Sequence, residues 1–214
     1  MSSGYFRHSL KLAMVLAAFA LVGTSLLALT YDATKGIIAA SEKRAKLALI
    51  AQILPPELYD NDIIGDAVSL PPQAELGTSE ATVTYRALKD GKPSAVVLEA
   101  VAPDGYAGKI KMLIAIRADG VVSGVRVVSH KETPGLGDYI DIAKSNWIKI
   151  FDGTSLEKYP SNDWKVKKDG GRFDSVAGAT ITPRAMVKAV HKALIYFSAN
   201  REKIFSLQTK EQAK

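Results

Sequence analysis

The chain predicts an α+β protein, an antiparallel sheet with packed helices, preceded by one N-terminal transmembrane helix. Three observations carry that expectation. Leu12 to Thr30 is uncharged and rich in Leu, Ala, Val and Phe, the length of one bilayer-spanning helix. Between Thr82 and Ser129, alternating apolar segments are punctuated by Asp-Gly pairs, the pattern of a β-meander. Near the end, Met186, Val190, Leu194 and Phe197 form an apolar stripe at helical spacing, which packs a helix on that sheet.

Arg7 and Lys11 precede the apolar run and Asp32 follows it. Residues 1–11 are expected as a short cytoplasmic tail and residues 12–30 as a membrane span. A cleaved leader is the alternative, since such segments also begin with a charged tail. The run exceeds a usual leader core and the small-residue pattern near Ala28 is poor, which favours a retained anchor. Residues 31–80 are expected as a juxtamembrane helix and a connection. Within them Ala33 to Leu54 is amphipathic, with Ile37, Ala40, Leu47, Ile50 and Leu54 at helical spacing, and Pro55-Pro56 ends it. Tyr59 to Ser79, with Gly65, Pro71, Pro72 and Gly77, reads as irregular.

The main domain is expected over residues 81–200. Thr82 to Leu88 and Ser94 to Val101 flank the turn Lys89-Asp90-Gly91-Lys92. Lys109 to Arg117 places Ile110, Met112, Ile114 and Ile116 on one face, and Asp119-Gly120 leads into Val121 to Ser129. Half-buried strands are expected from this alternation. Helices are expected from Asp138 to Ser145 and from Pro183 to Phe197, with a charged, fraying tail at 201–214.

Composition narrows the chemistry. Of 214 residues, 47% are hydrophobic and 23% charged, which is ordinary for a folded chain. The absence of cysteine excludes disulfides, thiolate zinc sites, cysteine-ligated clusters, c-type haem attachment and a lipoprotein anchor. His8, His130 and His191 are the only histidines, too few for a histidine-rich metal site. Redox chemistry would therefore come from an organic cofactor. The net charge of +6 is spread thinly, so no nucleic-acid partner is expected.

Two motifs carry functional information. Asp174-Ser175-Val176-Ala177-Gly178-Ala179-Thr180-Ile181-Thr182-Pro183 joins a small-residue turn to a helix start. Thr182 is expected as N-cap and Pro183 as the first helical residue. Gly178 and Ala179 allow close approach of a bulky group, and the helix start favours a phosphate. The second motif is His130-Lys131-Glu132-Thr133-Pro134-Gly135-Leu136-Gly137-Asp138, a close-approach loop between a strand and a helix. His130 and Glu132 also suit an acid–base pair or half a metal site, but nothing else in the chain completes either set. A helix cap of small residues and a structural turn are the plain alternatives.

The first motif resembles Asp-x-x-Ser/Thr-Gly-Ala-Thr of the FMN-binding domain family, in which FMN is joined to the last threonine through a phosphoester. The resemblance assigns that role to Thr180, with Asp174, Ala177, Gly178 and Ala179 beside it. Glu132-Thr133-Pro134-Gly135-Leu136-Gly137 is similar to the family's loop near the flavin ring, which implies cofactor contacts from Glu132, Thr133, Leu136 and Gly137. Gly105-Tyr106-Ala107-Gly108-Lys109-Ile110 is a third similar block, so the likeness runs from about Gly105 to Phe197. Ala177 stands where the family has Ser or Thr, which removes one hydroxyl beside the phosphate.

Within the family the chain is most similar to the flavin-carrying subunits of Rnf-type complexes, on Gly137-Asp138-Tyr139-Ile140, Trp147-Ile148 and Phe151. The resemblance implies a single-pass protein of the bacterial cytoplasmic (inner) membrane with its main domain periplasmic. It also implies covalent FMN, other membrane subunits as partners, a flavin transferase for maturation, and electron transfer coupled to ion translocation, without independent turnover. The alternatives are a component like the C-type subunit of the sodium-pumping NADH:quinone reductase, a membrane-tethered flavoenzyme, or a non-redox binding module.

Overall fold

The computed structural model describes residues 2–176 and 178–207, so Ala177 and the last part of the charged tail lie outside the described residues. The chain divides after Lys46 into two units. Helix α1, Ser2–Ile53, runs unbroken from the first unit into the second. The expected span and juxtamembrane helix are thus one element: Tyr31-Asp32-Ala33-Thr34 contains no Pro or Gly to interrupt it, and Lys35 pairs with Asp32 one turn earlier at 2.6 Å. In the first unit Leu16, Phe19, Leu21 and Leu27 are exposed. Thr24, Thr30 and Thr34 donate their hydroxyls to the carbonyls of Ala20, Leu26 and Thr30. Apolar side chains outside and hydroxyls bonded back to the helix suit hydrocarbon, and the segment is long and apolar enough to cross a membrane.

The second unit is built on a five-stranded antiparallel meander in the order β1-β2-β3-β4-β5. Its strands are β1 Val68–Leu70, β2 Thr82–Lys89, β3 Lys92–Ala102, β4 Ile110–Arg117 and β5 Val122–Ser129. Asp90 and Gly91 take φ of 50° and 71°, the left-handed pair that a two-residue hairpin needs. Strand β1 lies in the stretch expected to be irregular. It pairs Val68 with Thr84 and Leu70 with Thr82, and three residues before Pro71-Pro72 are too few to show a period.

Both faces of the sheet are covered, which corrects the half-buried expectation. On one face Leu98, Met112, Ile114 and Ile116 pack with Phe151, Trp164, Phe173 and helix α2, Ile181–Ser206. On the other, Val97, Leu113 and Ala115 meet Ile50, Ile53 and Leu54 at the end of α1. Met112 to Ile116 is an uninterrupted apolar run for this reason. Contact with α1 is close at Gly124, where a Cβ would stand 2.7 Å from Ile53 Cγ2.

The helix expected at Asp138 to Ser145 is instead a 3₁₀ segment, Asp138–Ile140, followed by turns, and a second 3₁₀ segment, Asn146–Phe151, comes after that range. Ala143 N–H donates to Asp141 Oδ1 at 2.9 Å, a local turn that competes with helix. Ser145 then starts the second segment by accepting from Trp147 N–H at 3.0 Å. Helix α2 runs further than expected, to Ser206, with Ile204 buried. Its last turn is held by buried Arg86 of β2, whose guanidinium donates to the carbonyls of Phe205 and Leu207.

Two stability outcomes follow from this packing. Ile114→Ala, at a position fully inaccessible to solvent, should cost about 2–5 kcal/mol in urea unfolding of the main domain. Arg86→Met should cost about 1–3 kcal/mol by leaving terminal carbonyls without their donor. The second change should also speed amide exchange in the last turn of α2 more than at its centre.

Candidate functional site

Antiparallel register brings the site loops together. Ala102 pairs with Ile110 and Lys111 with Ser129. The β3–β4 connection and the exit of β5 therefore emerge side by side at one end of the sheet. Helix α2 begins at the same end, and one side chain joins all three. Glu132, just past β5 and only 4% exposed, accepts Ala107 N–H on Oε1 at 3.0 Å. Its Oε2 accepts the hydroxyl of Thr182 in the first turn of α2. Glycines on either side let the chain close on this carboxylate: a Cβ at Gly105 would lie 2.9 Å from Oε1, and one at Gly137 2.9 Å from Oε2.

The expected N-cap is corrected here. Helix α2 starts at Ile181 with Thr180 in the cap position and no side-chain cap bond. Thr182 and Pro183 both fall in the first turn, where a missing N–H costs nothing, and the Thr182 hydroxyl serves Glu132 instead.

A cavity of about 130 Å³ is lined by Tyr106, Glu132, Thr133, Leu136, Gly137, Gly178, Ala179, Thr180, Ile181 and Thr182. All the site residues drawn from the sequence meet here except Asp174 and Ala177. Asp174 is exposed, with its carboxylate paired to Lys167 at 2.7 Å, and Ala177 lies outside the described residues. His130 and Glu132 do not form a side-chain pair, because His130 Nδ1 accepts the Glu132 backbone N–H at 3.1 Å. No group of three or more potential metal ligands occurs among the described residues. The Thr133–Gly137 loop is closed by N–H bonds from Leu136 and Gly137 to the Thr133 carbonyl, and Gly135 takes φ of 76°.

Two aromatic residues fix the segment that carries Thr180, a role not evident from the sequence. Trp147 Nε1 donates to the Asp174 carbonyl at 2.9 Å. Tyr139 donates its hydroxyl to the Ala179 carbonyl at 3.2 Å. The rings meet edge to face at 5.2 Å, so the two ends of the segment are held by one packed pair. Burial holds the Tyr139 phenol above its ordinary pKa, and the nearby Glu132 acts in the same direction. Tyr139 therefore stays a donor at neutral pH.

The lining suits a phosphorylated ligand with an apolar ring. The start of α2 offers amides without helical acceptors, beside the Thr180 hydroxyl. Tyr106, Leu136 and Ile181 form an exposed apolar rim. The cavity is smaller than the roughly 300–1,000 Å³ that encloses a whole drug-sized ligand, so a ligand of flavin size would extend beyond it.

Comparison with known proteins identifies the family. The family model for the FMN-binding domain matches residues 105–195, and that for the RnfG N-terminal region matches residues 1–53. The chain is 48% identical over 200 residues to the G-type subunit of the ion-translocating oxidoreductase complex of Pseudomonas aeruginosa (strain UCBPP-PA14), covering 94% of each chain. It is 44% identical over 196 residues to the protein of the same name from Pseudoalteromonas atlantica, covering 92% of this chain and 91% of the other. It is likewise 44% identical over 194 residues to that of Vibrio cholerae serotype O1 (strain M66-2), covering 91% and 92%. The chain, matched over residues 105–195 by the FMN-binding domain and over residues 1–53 by the RnfG N-terminal region and 48% identical to a curated relative across 94% of each chain, thus belongs to the RnfG family, the G-type subunits of ion-translocating oxidoreductase complexes.

Proposed function

We propose that this chain is the electron-transfer subunit of a membrane complex coupling electron flow to ion translocation, with FMN held by a phosphoester to Thr180. The carrying observation is the placement of Thr180. It caps α2 at the cavity edge with its hydroxyl uncommitted among the described residues, whereas the Thr182 hydroxyl is buried against Glu132. Of the two threonines flanking Ile181, only Thr180 offers an oxygen free for attachment.

A threonine hydroxyl is a weak nucleophile at neutral pH, and no carboxylate or imidazole bonds to that of Thr180 among the described residues. A separate flavin transferase supplies the base. With FAD as donor, Thr180 would give up its proton to that base as its Oγ bonded to the flavin-side phosphorus and the bond to AMP broke. Tyr139 and Trp147 hold the segment during this step, and the start of α2 faces the phosphate. Once bound, FMN supplies one- and two-electron transfer.

Helix α1 is the anchor in this reading. Arg7 and Lys11 favour a cytoplasmic N-terminus, while Lys35, Lys43, Arg44 and Lys46 on the other side of the span oppose it; the family resemblance, not the charge, is what supports a periplasmic main domain. Leu12 to Thr30 carries no charged residue, so partner subunits supply the ion path.

Wild type and Thr180→Ala, each co-expressed with an active flavin transferase, should separate in a denaturing gel. Wild type gives a flavin-fluorescent band, Thr180→Ala loses it, and Thr180→Ser keeps it. A dark wild-type band, with a control substrate labelled, sinks the covalent reading and favours a binding module. The absence of native cysteine makes topology directly measurable. Exposed Ser79 changed to Cys should react with an impermeant maleimide once the outer membrane is permeabilised, before the inner membrane is opened.

A further inference from the structure

We infer that the carboxylate of Glu132 sets the reduction potential of the flavin by placing a buried negative charge in the cavity wall. The inference rests on the functional reading above. Glu132 and Thr180 line one cavity, so a flavin tethered to Thr180 is confined beside that carboxylate.

Both carboxylate oxygens accept, Oε1 from a backbone N–H and Oε2 from a hydroxyl, and donors to both oxygens stabilise a carboxylate as the anion. Its charge is otherwise uncancelled, since Glu132 forms no salt bridge among the described residues. The groups that compensate it are neutral: two donors, with glycines at 105 and 137 that let the backbone close over the carboxylate.

Adding electrons to a ring next to a buried anion is disfavoured, because charge–charge interaction is strong where water is excluded. Glu132 therefore keeps the flavin a stronger reductant than the cavity would without it. The α2 start acts in the opposite sense, and the balance is set by how far Thr182 and Ala107 satisfy the carboxylate.

Spectroelectrochemical titration of flavin-loaded full-length chain in detergent tests this through two isosteric changes. Glu132→Gln keeps shape and removes charge. Its midpoint should rise, shifting the reduced-to-oxidised ratio at fixed potential at least tenfold, which is about 30 mV for a two-electron couple. Thr182→Val keeps the charge and removes one of its donors, so its midpoint should fall. A merely structural role predicts no such opposition of sign. Equal midpoints, or shifts in one direction for both variants, overturn the inference. Where Glu132→Gln takes up no flavin, Thr182→Val decides alone: a fall supports the inference, and no change or a rise overturns it. A wild-type chain that binds no flavin overturns the functional reading and this inference with it, whereas unshifted variants overturn only the latter.

Discussion

One buried carboxylate draws together segments that the chain otherwise leaves far apart. Glu132 takes one donor from the β3–β4 connection and another from the first turn of α2, fifty residues further on. A buried charge is costly unless its lone pairs are filled, so neither donor can leave without penalty. That constraint closes the cavity on three sides. It also explains the glycines at 105 and 137, since any side chain there would meet the carboxylate oxygens.

The carboxylate can do this only because the sheet brings its donors within reach. Strand β4 is buried on both faces, so α2 must cover one side while the end of α1 covers the other. Covering the sheet fixes the axis of α2, and Arg86 fixes its last turn through the terminal carbonyls. Packing thus sets where the helix ends, and Glu132 sets where it begins. Thr180 sits at the junction of these two constraints, one residue before the helix.

Local features are legible in the sequence, and long-range ones are not. The Asp90-Gly91 and Asp119-Gly120 turns give away four strands, because a left-handed pair at Asp90-Gly91 and a left-handed glycine at Gly120 each narrow the choice of hairpin. The small residues before Thr180 similarly announce a close-approach turn. Leu113 and Ala115 also spell out two-sided burial, yet the stronger alternation of Ile110, Met112, Ile114 and Ile116 conceals it. Thr182 resembles a cap because a hydroxyl before a proline fits that role locally. Its partner is distant, and no periodicity connects them. Tyr139 and Trp147 stand out as aromatics, but their bonds to Ala179 and Asp174 depend on how a 3₁₀ segment and turns replace the expected helix. Strand β1 is legible only through its pairing with β2.

The size of the cavity and the proposed tether belong to one physical argument. A pocket that fully encloses a cofactor can retain it by burial, but it also insulates the cofactor from its redox partners. The cavity here, at about 130 Å³, buries too little of a flavin for burial to hold it. The proposed covalent bond at Thr180 would replace that missing affinity with a fixed local concentration. The rest of the ring is then free to lie on the exposed rim of Tyr106, Leu136 and Ile181, open to an approaching donor or acceptor. In that proposal, retention by bond and exposure by shape are complementary: a tether would permit a shallow site, and a shallow site would permit electron exchange.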